Sequence, residues 1–201
     1  MKPEEILALG KDILKKEADA ILNLRENLSE DFLQAVELLN QCEGKVIVIG
    51  IGKSGLIGKK IAASLSSLGT PSFFVHAGEA AHGDLGMLEA HDVILAISHS
   101  GETPEILNLL PIIKQIGCKL VSITGTKDCT LAREANVALV TGVTQEADPM
   151  NLAPTNSSTA TLALGDALAV ALAQISGFTK ENFAFLHPGG ALGRRLLKEL
   201  K

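Results

Sequence analysis

Ile6, Leu7, Ile13, Leu14, Ile21, Leu22 and Leu28 recur at helical spacing, and a second helical pattern through Phe32, Leu33, Val36 and Leu39 follows Ser29, a residue type suited to an N-cap. The chain is expected to open with two helices. Five short β-like runs come next: KVIVIG (45–50), PSFFVH (71–76), DVILAIS (92–98), KLVSITG (119–125) and NVALVTG (136–142). The first four are near-continuous apolar rather than alternating, as strands covered on both faces of a parallel sheet read. Helical patterns lie between most of them, from Leu56 to Leu68, Pro104 to Ile116 and Leu131 to Ala135. Alternating strands and helices predict a doubly wound α/β sandwich with sites at the carboxyl ends of its strands.

Beyond Gly142 the pattern becomes a polar loop, TQEADPMNLAPTNSS, and then a long small-residue helix, TATLALGDALAVALAQISG. Its Ala and Gly content implies close packing against a neighbour, in the same chain or another subunit. Small residues around much of its circumference, from Thr159 to Ser176, favour a subunit interface. The end of the chain reads as a short helix, a sharp His187-Pro188-Gly189-Gly190 turn and a final helix. With no linker or low-complexity stretch, residues 1–201 read as one domain, with N-terminal helices over 1–44 and the α/β core and C-terminal helices over 45–201.

Composition narrows the function. At 201 residues, 46% hydrophobic and 20% charged, the chain has the make-up of a folded protein. Lys+Arg 18 against Asp+Glu 23 gives a net charge of −5 with no basic run, so the footprint of a nucleic-acid binder is missing. The amino terminus is punctuated by charge, without the apolar stretch of a secretory signal. The longest apolar region, LALGDALAVALAQ, is interrupted by Asp166 and too short for a bilayer. A cytoplasmic protein without a membrane partner is expected. Cys42, Cys118 and Cys129 have neither CxxC nor zinc-finger spacing, so they read as reduced, mostly buried thiols, and no metal site is expected.

Three loops carry candidate chemistry. Gly50-Ile51-Gly52-Lys53-Ser54-Gly55 matches the dinucleotide GxGxxG spacing, with Glu79 near the end of the second strand where a ribose-binding acid would sit. Its GKS mimics a P-loop, but the Gly required five residues before Gly52 is Ile47. The glycines also suit a tight turn with no ligand. Ser98-His99-Ser100-Gly101-Glu102-Thr103 sets hydroxyls and backbone N–H groups at a strand end just before Pro104, a good first helical residue. That arrangement suits a phosphate monoester, or a plain N-cap. Thr155-Asn156-Ser157-Ser158-Thr159 begins the long helix, as a ligand cluster or as its cap.

GIGKSGLIGKKIA, FFVHAGEAAHGDLGM, SHSGETPEI, LAPTNSSTATLALGDALAVAL and FLHPGGALGRRLL, in that order, resemble the sugar isomerase (SIS) domain in its arabinose-5-phosphate isomerase branch, over about Lys45 to Leu197. The resemblance implies a flavodoxin-like five-stranded parallel sheet sandwiched by helices, a homotetramer and no nucleotide cofactor. It implies interconversion of ribulose 5-phosphate and arabinose 5-phosphate. The family's phosphate loop falls on Ser98, Ser100, Gly101 and Thr103, with Ser54 reaching in, and its catalytic residues fall on Lys53, His82, Glu105 and His187. The tetramer implies that His187 enters the site of an adjacent subunit. The branch usually shows Asn at the place of His99, Cys at Asp148 and Ser at Asn156, and generally carries two CBS repeats after the SIS domain.

The residue types fit the reaction. Aldose–ketose isomerisation needs a base for the proton next to the carbonyl, an acid, and a group to stabilise the enediolate oxygens. Glu105, two residues past Thr103, is the expected base, with Lys53 at the enediolate and His82 and His187 assisting ring opening. The competing readings are a sugar-phosphate-sensing module without catalysis, an isomerase of another phosphosugar, and a nicotinamide dehydrogenase.

Overall fold

The computed structural model describes residues 1–190 together with 195 and 196. The helix expected after the HPGG turn lies largely outside the described residues. The strands form where the apolar runs predict them: β1 (Val46–Gly50), β2 (Ser72–His76), β3 (Val93–Ile97), β4 (Lys119–Thr124) and β5 (Val137–Val140). All pair in parallel in the order β2-β1-β3-β4-β5. β1 and β3 are buried along their whole length, which is why their sequences do not alternate.

Alternate residues of each strand enter two separate cores. Val46 and Val48 of β1 join Val93, Leu95 and Ile97 of β3 under α1 (Pro3–Glu26), α2 (Glu30–Asn40), α3 (Gly52–Ser67) and α8 (Asn156–Ile175). Ile47, Ile49, Ile94 and Ala96 enter the other core, with α4 (Ala77–Ala80), α5 (Pro104–Leu107), α6 (Leu110–Ile116) and α7 (Thr130–Glu134). A short 3-10 helix, Asp84–Met87, follows α4, and α9 (Lys180–Leu186) follows α8.

Local differences from the sequence reading have physical causes. α3 begins at Gly52, not Leu56, so Lys53 and Ser54 stand in the first turn of a helix rather than in an open glycine loop. The loop glycines serve contact between backbones: a Cβ on Gly50 would lie 3.1 Å from Gly55 Cα. The pattern from Pro104 to Ile116 divides into α5 and α6, because Pro111 in the first turn of α6 has no N–H to continue the ladder.

α8 packs on α3, α1 and α2. Gly165 is used within the chain, since it sits against Ile61 of α3 with no room for a Cβ, while Ala167 and Val170 are exposed. At 20 residues α8 is long and apolar enough to cross a membrane by length and composition, longer than the apolar run suggests. Here it is a core helix, with Ala160, Leu164, Leu168 and Leu172 buried.

Candidate active site

In this strand order the chain winds one way from β1 and the other way from β3, so a crevice opens between their carboxyl ends. The segments leaving these two strands carry Lys53 and Ser54 on one flank and residues 98–103 on the other. A cavity of about 260 Å³ lies at this end of the sheet. Its wall is formed by Lys53, Ser54 and Ile57 of α3, His99 after β3, Thr144, Gln145 and Glu146 after β5, Asn151, Leu152 and Pro154 farther along, and Ser157, Ser158 and Thr161 of α8.

The 98–103 loop is built from within. Ser98 is buried, and its Oγ stands 2.7 Å from Thr103 Oγ1 and accepts the Gly101 N–H at 3.1 Å. Gly101 has a φ of 67°, and a Cβ there would run into the Cys129 side chain, so glycine is required. Ser100 is exposed, and its Oγ accepts the Glu102 N–H at 3.2 Å. The loop is braced on α7, where Glu102 accepts the Thr130 N–H at 2.6 Å and Gly101 O accepts the Leu131 N–H at 3.0 Å. Thr130 hydrogen bonds hold the Glu102 carboxyl below its usual range. Of the three hydroxyls, Ser98 therefore shapes the loop, while exposed Ser100 faces solvent.

Glu146 was not anticipated. Its carboxylate accepts from the Thr155 N–H at 2.8 Å, the Thr155 hydroxyl at 3.1 Å, the Ser157 N–H at 3.1 Å and the Ser157 hydroxyl. Burial pushes its pKa up, but the hydrogen bonds from Ser157 and Thr155 outweigh this and leave it lowered. The 155–159 cluster is thus a helix start, capped by a carboxylate from a preceding loop rather than by Thr155 itself. In the sequence Glu146 is one acid in a polar loop, and no spacing rule links it to Ser157. Asp148 holds the same loop through the N–H groups of Met150, Leu152 and Ala153, with its carboxyl lowered by those contacts.

The predicted catalytic residues divide into groups. Lys53 enters the cavity wall, and its ammonium makes no ion pair among the described residues. Glu105 is exposed in the first turn of α5, on the opposite sheet face from α3. His82 is exposed in the turn after α4, a helix that contacts α5, and it does not line the cavity that holds Lys53. His187 is elsewhere. Its Nε2 lies 2.9 Å from Ser67 Oγ at the carboxyl end of α3, its Nδ1 lies 2.7 Å from Phe183 O, and its ring stacks on Phe183. Ser67 is fourteen residues beyond Lys53, about 21 Å along the helix. Within one chain His187 and Lys53 are not brought together.

The SIS domain model matches residues 38–171. The arabinose 5-phosphate isomerase KdsD of Pseudomonas aeruginosa is 57% identical over 92% of this chain, and that of Escherichia coli K12 is 54% identical over 94%. The chain spans 57% of the length of each of these relatives. An Escherichia coli CFT073 protein solved in complex with arabinose 5-phosphate superposes with a TM-score of 0.91 at 42% identity, covering 94% of this chain and 100% of that one. The family match over residues 38–171, on a parallel sheet whose crevice opens between β1 and β3, makes this chain a member of the SIS domain family.

Proposed function

We propose that this chain is an aldose–ketose isomerase that interconverts ribulose 5-phosphate and arabinose 5-phosphate through an enediol, working as a cytoplasmic homotetramer without a cofactor or metal. The observation that carries the reading is the crevice between β1 and β3, where Lys53, without an ion pair among the described residues, and Ser54 stand across from a braced hydroxyl loop ahead of α5. Relatives that bear this activity in their names, at 54–57% identity, support the choice of substrate.

The phosphate sits against the loop of Ser98, Ser100, Gly101 and Thr103, with Ser54 adding a hydroxyl from α3. Ser98 acts mainly by holding Thr103 and the Gly101 N–H in place. From there the sugar carbons extend along the crevice, with Lys53 on one flank and Glu105 on the other. Glu105 takes the proton from the carbon beside the carbonyl and returns it to the neighbouring carbon, while Lys53 stabilises the enediolate oxygen. Glu146 lines the cavity too, but its carboxylate is held by four hydrogen-bond donors at the start of α8 and is committed to that helix. His82, in the exposed turn after α4, assists ring opening. His187 of a neighbouring subunit completes the site, since the chain's own His187 lies at the far end of α3.

The test compares Glu105→Gln and Glu146→Gln under turnover with arabinose 5-phosphate in deuterated water. Glu105→Gln is expected to lower kcat by about 10²–10⁴ while substrate still binds, and wild type is expected to place solvent deuterium at C2 of the aldose. Near-normal turnover by Glu105→Gln with collapse of Glu146→Gln would transfer the role to Glu146. Binding without any turnover by wild type would make the chain a sugar-phosphate sensor.

A further inference from the structure

Five histidines occur in the chain, and the fold separates them by whether their rings are already engaged. His76 Nδ1 accepts the Gly78 N–H, His91 Nε2 meets Glu89, and His187 is held on both ring nitrogens. The rings of His82 and His99 make no hydrogen bond among the described residues. Of these two, His99 lines the cavity that holds Lys53 and Glu146.

Backbone and ring of His99 are both held in place. The His99 backbone O accepts the Gly125 N–H at 2.8 Å, tying the loop to the end of β4. The ring lies over Gly125, where a Cβ would stand 2.6 Å from Cε1 and 2.8 Å from Nδ1, so Gly125 leaves space for the imidazole. The residue stays exposed to the cavity side, between buried Ser98 and exposed Ser100. A seated imidazole with unused hydrogen-bonding groups, inside a loop read here as the phosphate loop, has the geometry of a ligand contact.

We infer that His99 is a specificity-determining residue of this site, hydrogen-bonding the phosphate-proximal end of the sugar phosphate through its ring. The inference rests on the isomerase reading for the identity of the ligand, and on the cavity and ring seating for the residue. Lys53 and Glu146 are the charged groups facing the same cavity. Lys53 makes no ion pair among the described residues, whereas Glu146 is committed to α8. His99 therefore adds a directional group, held over Gly125, beside the longer and more mobile ammonium arm of Lys53.

The test uses His99→Phe, which keeps a ring over Gly125 and removes the hydrogen bond, with His99→Gln as the partial restoration. His99→Phe is expected to raise KM for arabinose 5-phosphate about tenfold with kcat within about threefold, and His99→Gln to recover part of the loss. In wild type, the ring proton signal missing from His99→Phe is expected to shift on adding arabinose 5-phosphate and to stay still on adding arabinose. A wild-type KM in His99→Phe together with an unmoved ring signal overturns the inference, because the ring then serves only as packing. A ring shift in a protein without turnover upholds the contact and sinks the isomerase reading instead.

Discussion

Glu146 shows how one side chain can organise a wall of the cavity. Its carboxylate receives N–H and O–H donors from Thr155 and Ser157, joining the segment after β5 to the start of α8. Because these contacts lower its pKa in the folded chain, its contribution to stability is full above the ordinary Glu value of about 4.3 and is lost as pH falls through the lower folded value. Glu146→Gln is expected to cost about 1–3 kcal/mol at pH 7, measured by urea unfolding. The gap between wild type and variant should narrow when the titration is repeated below about pH 4. A gap that is the same at every pH would mean that the charge on Glu146 does not carry the contact. The cysteines present the opposite case, since burial raises the pKa of Cys42 and Cys118 and so keeps their thiols protonated at neutral pH.

Among the helices, α8 and α1 answer to different forces. Gly165 of α8 meets Ile61 of α3 with no space for a side chain, whereas Gly10 of α1 has nothing within 4 Å. Gly165→Leu should therefore destabilise the fold by about 1–3 kcal/mol through overpacking. Gly10→Ala should stabilise the helix by about 0.5–1 kcal/mol through propensity, because within the chain nothing stands against a Cβ there. Thermal melting of the pair checks both signs, and a neutral Gly165→Leu would show that the α3–α8 contact is looser than its geometry. The small-residue pattern of α8 was readable in the sequence, but whether its neighbour was α3 or another subunit was not. A residue pattern states that a close neighbour exists and carries no information on which chain supplies it.

For the whole molecule, α1 leaves the clearest surface. Leu7 and Leu14 are 61% and 69% exposed, and Ile6 and Leu22 lie exposed with them, while Ala20 and Leu24 are buried within the chain. Together with the distance of His187 from Lys53, this face supports the proposed homotetramer. Sedimentation is expected to show an oligomer, and Leu7→Glu with Leu14→Glu is expected to dissociate it and lower turnover together. A doubly substituted monomer with full activity would separate catalysis from assembly and return His187 to a structural role.

Periodicity by itself determined the strands, the two opening helices and the parallel α/β class, because strands buried on both faces must be apolar throughout and helices between them must be amphipathic. Local chemistry also marked the loops at Lys53 and Ser98, since glycine and hydroxyl clusters before a helix leave a short-range signature. Only the tertiary structure decided that Lys53 begins a helix, that Glu146 caps α8, that His99 rather than His82 shares the Lys53 cavity, and that His187 lies at the other end of α3. These are contacts between segments distant along the chain. They depend on which strands become neighbours, and the order β2-β1-β3-β4-β5 that brings the ends of β1 and β3 together is a property of packing the whole sheet.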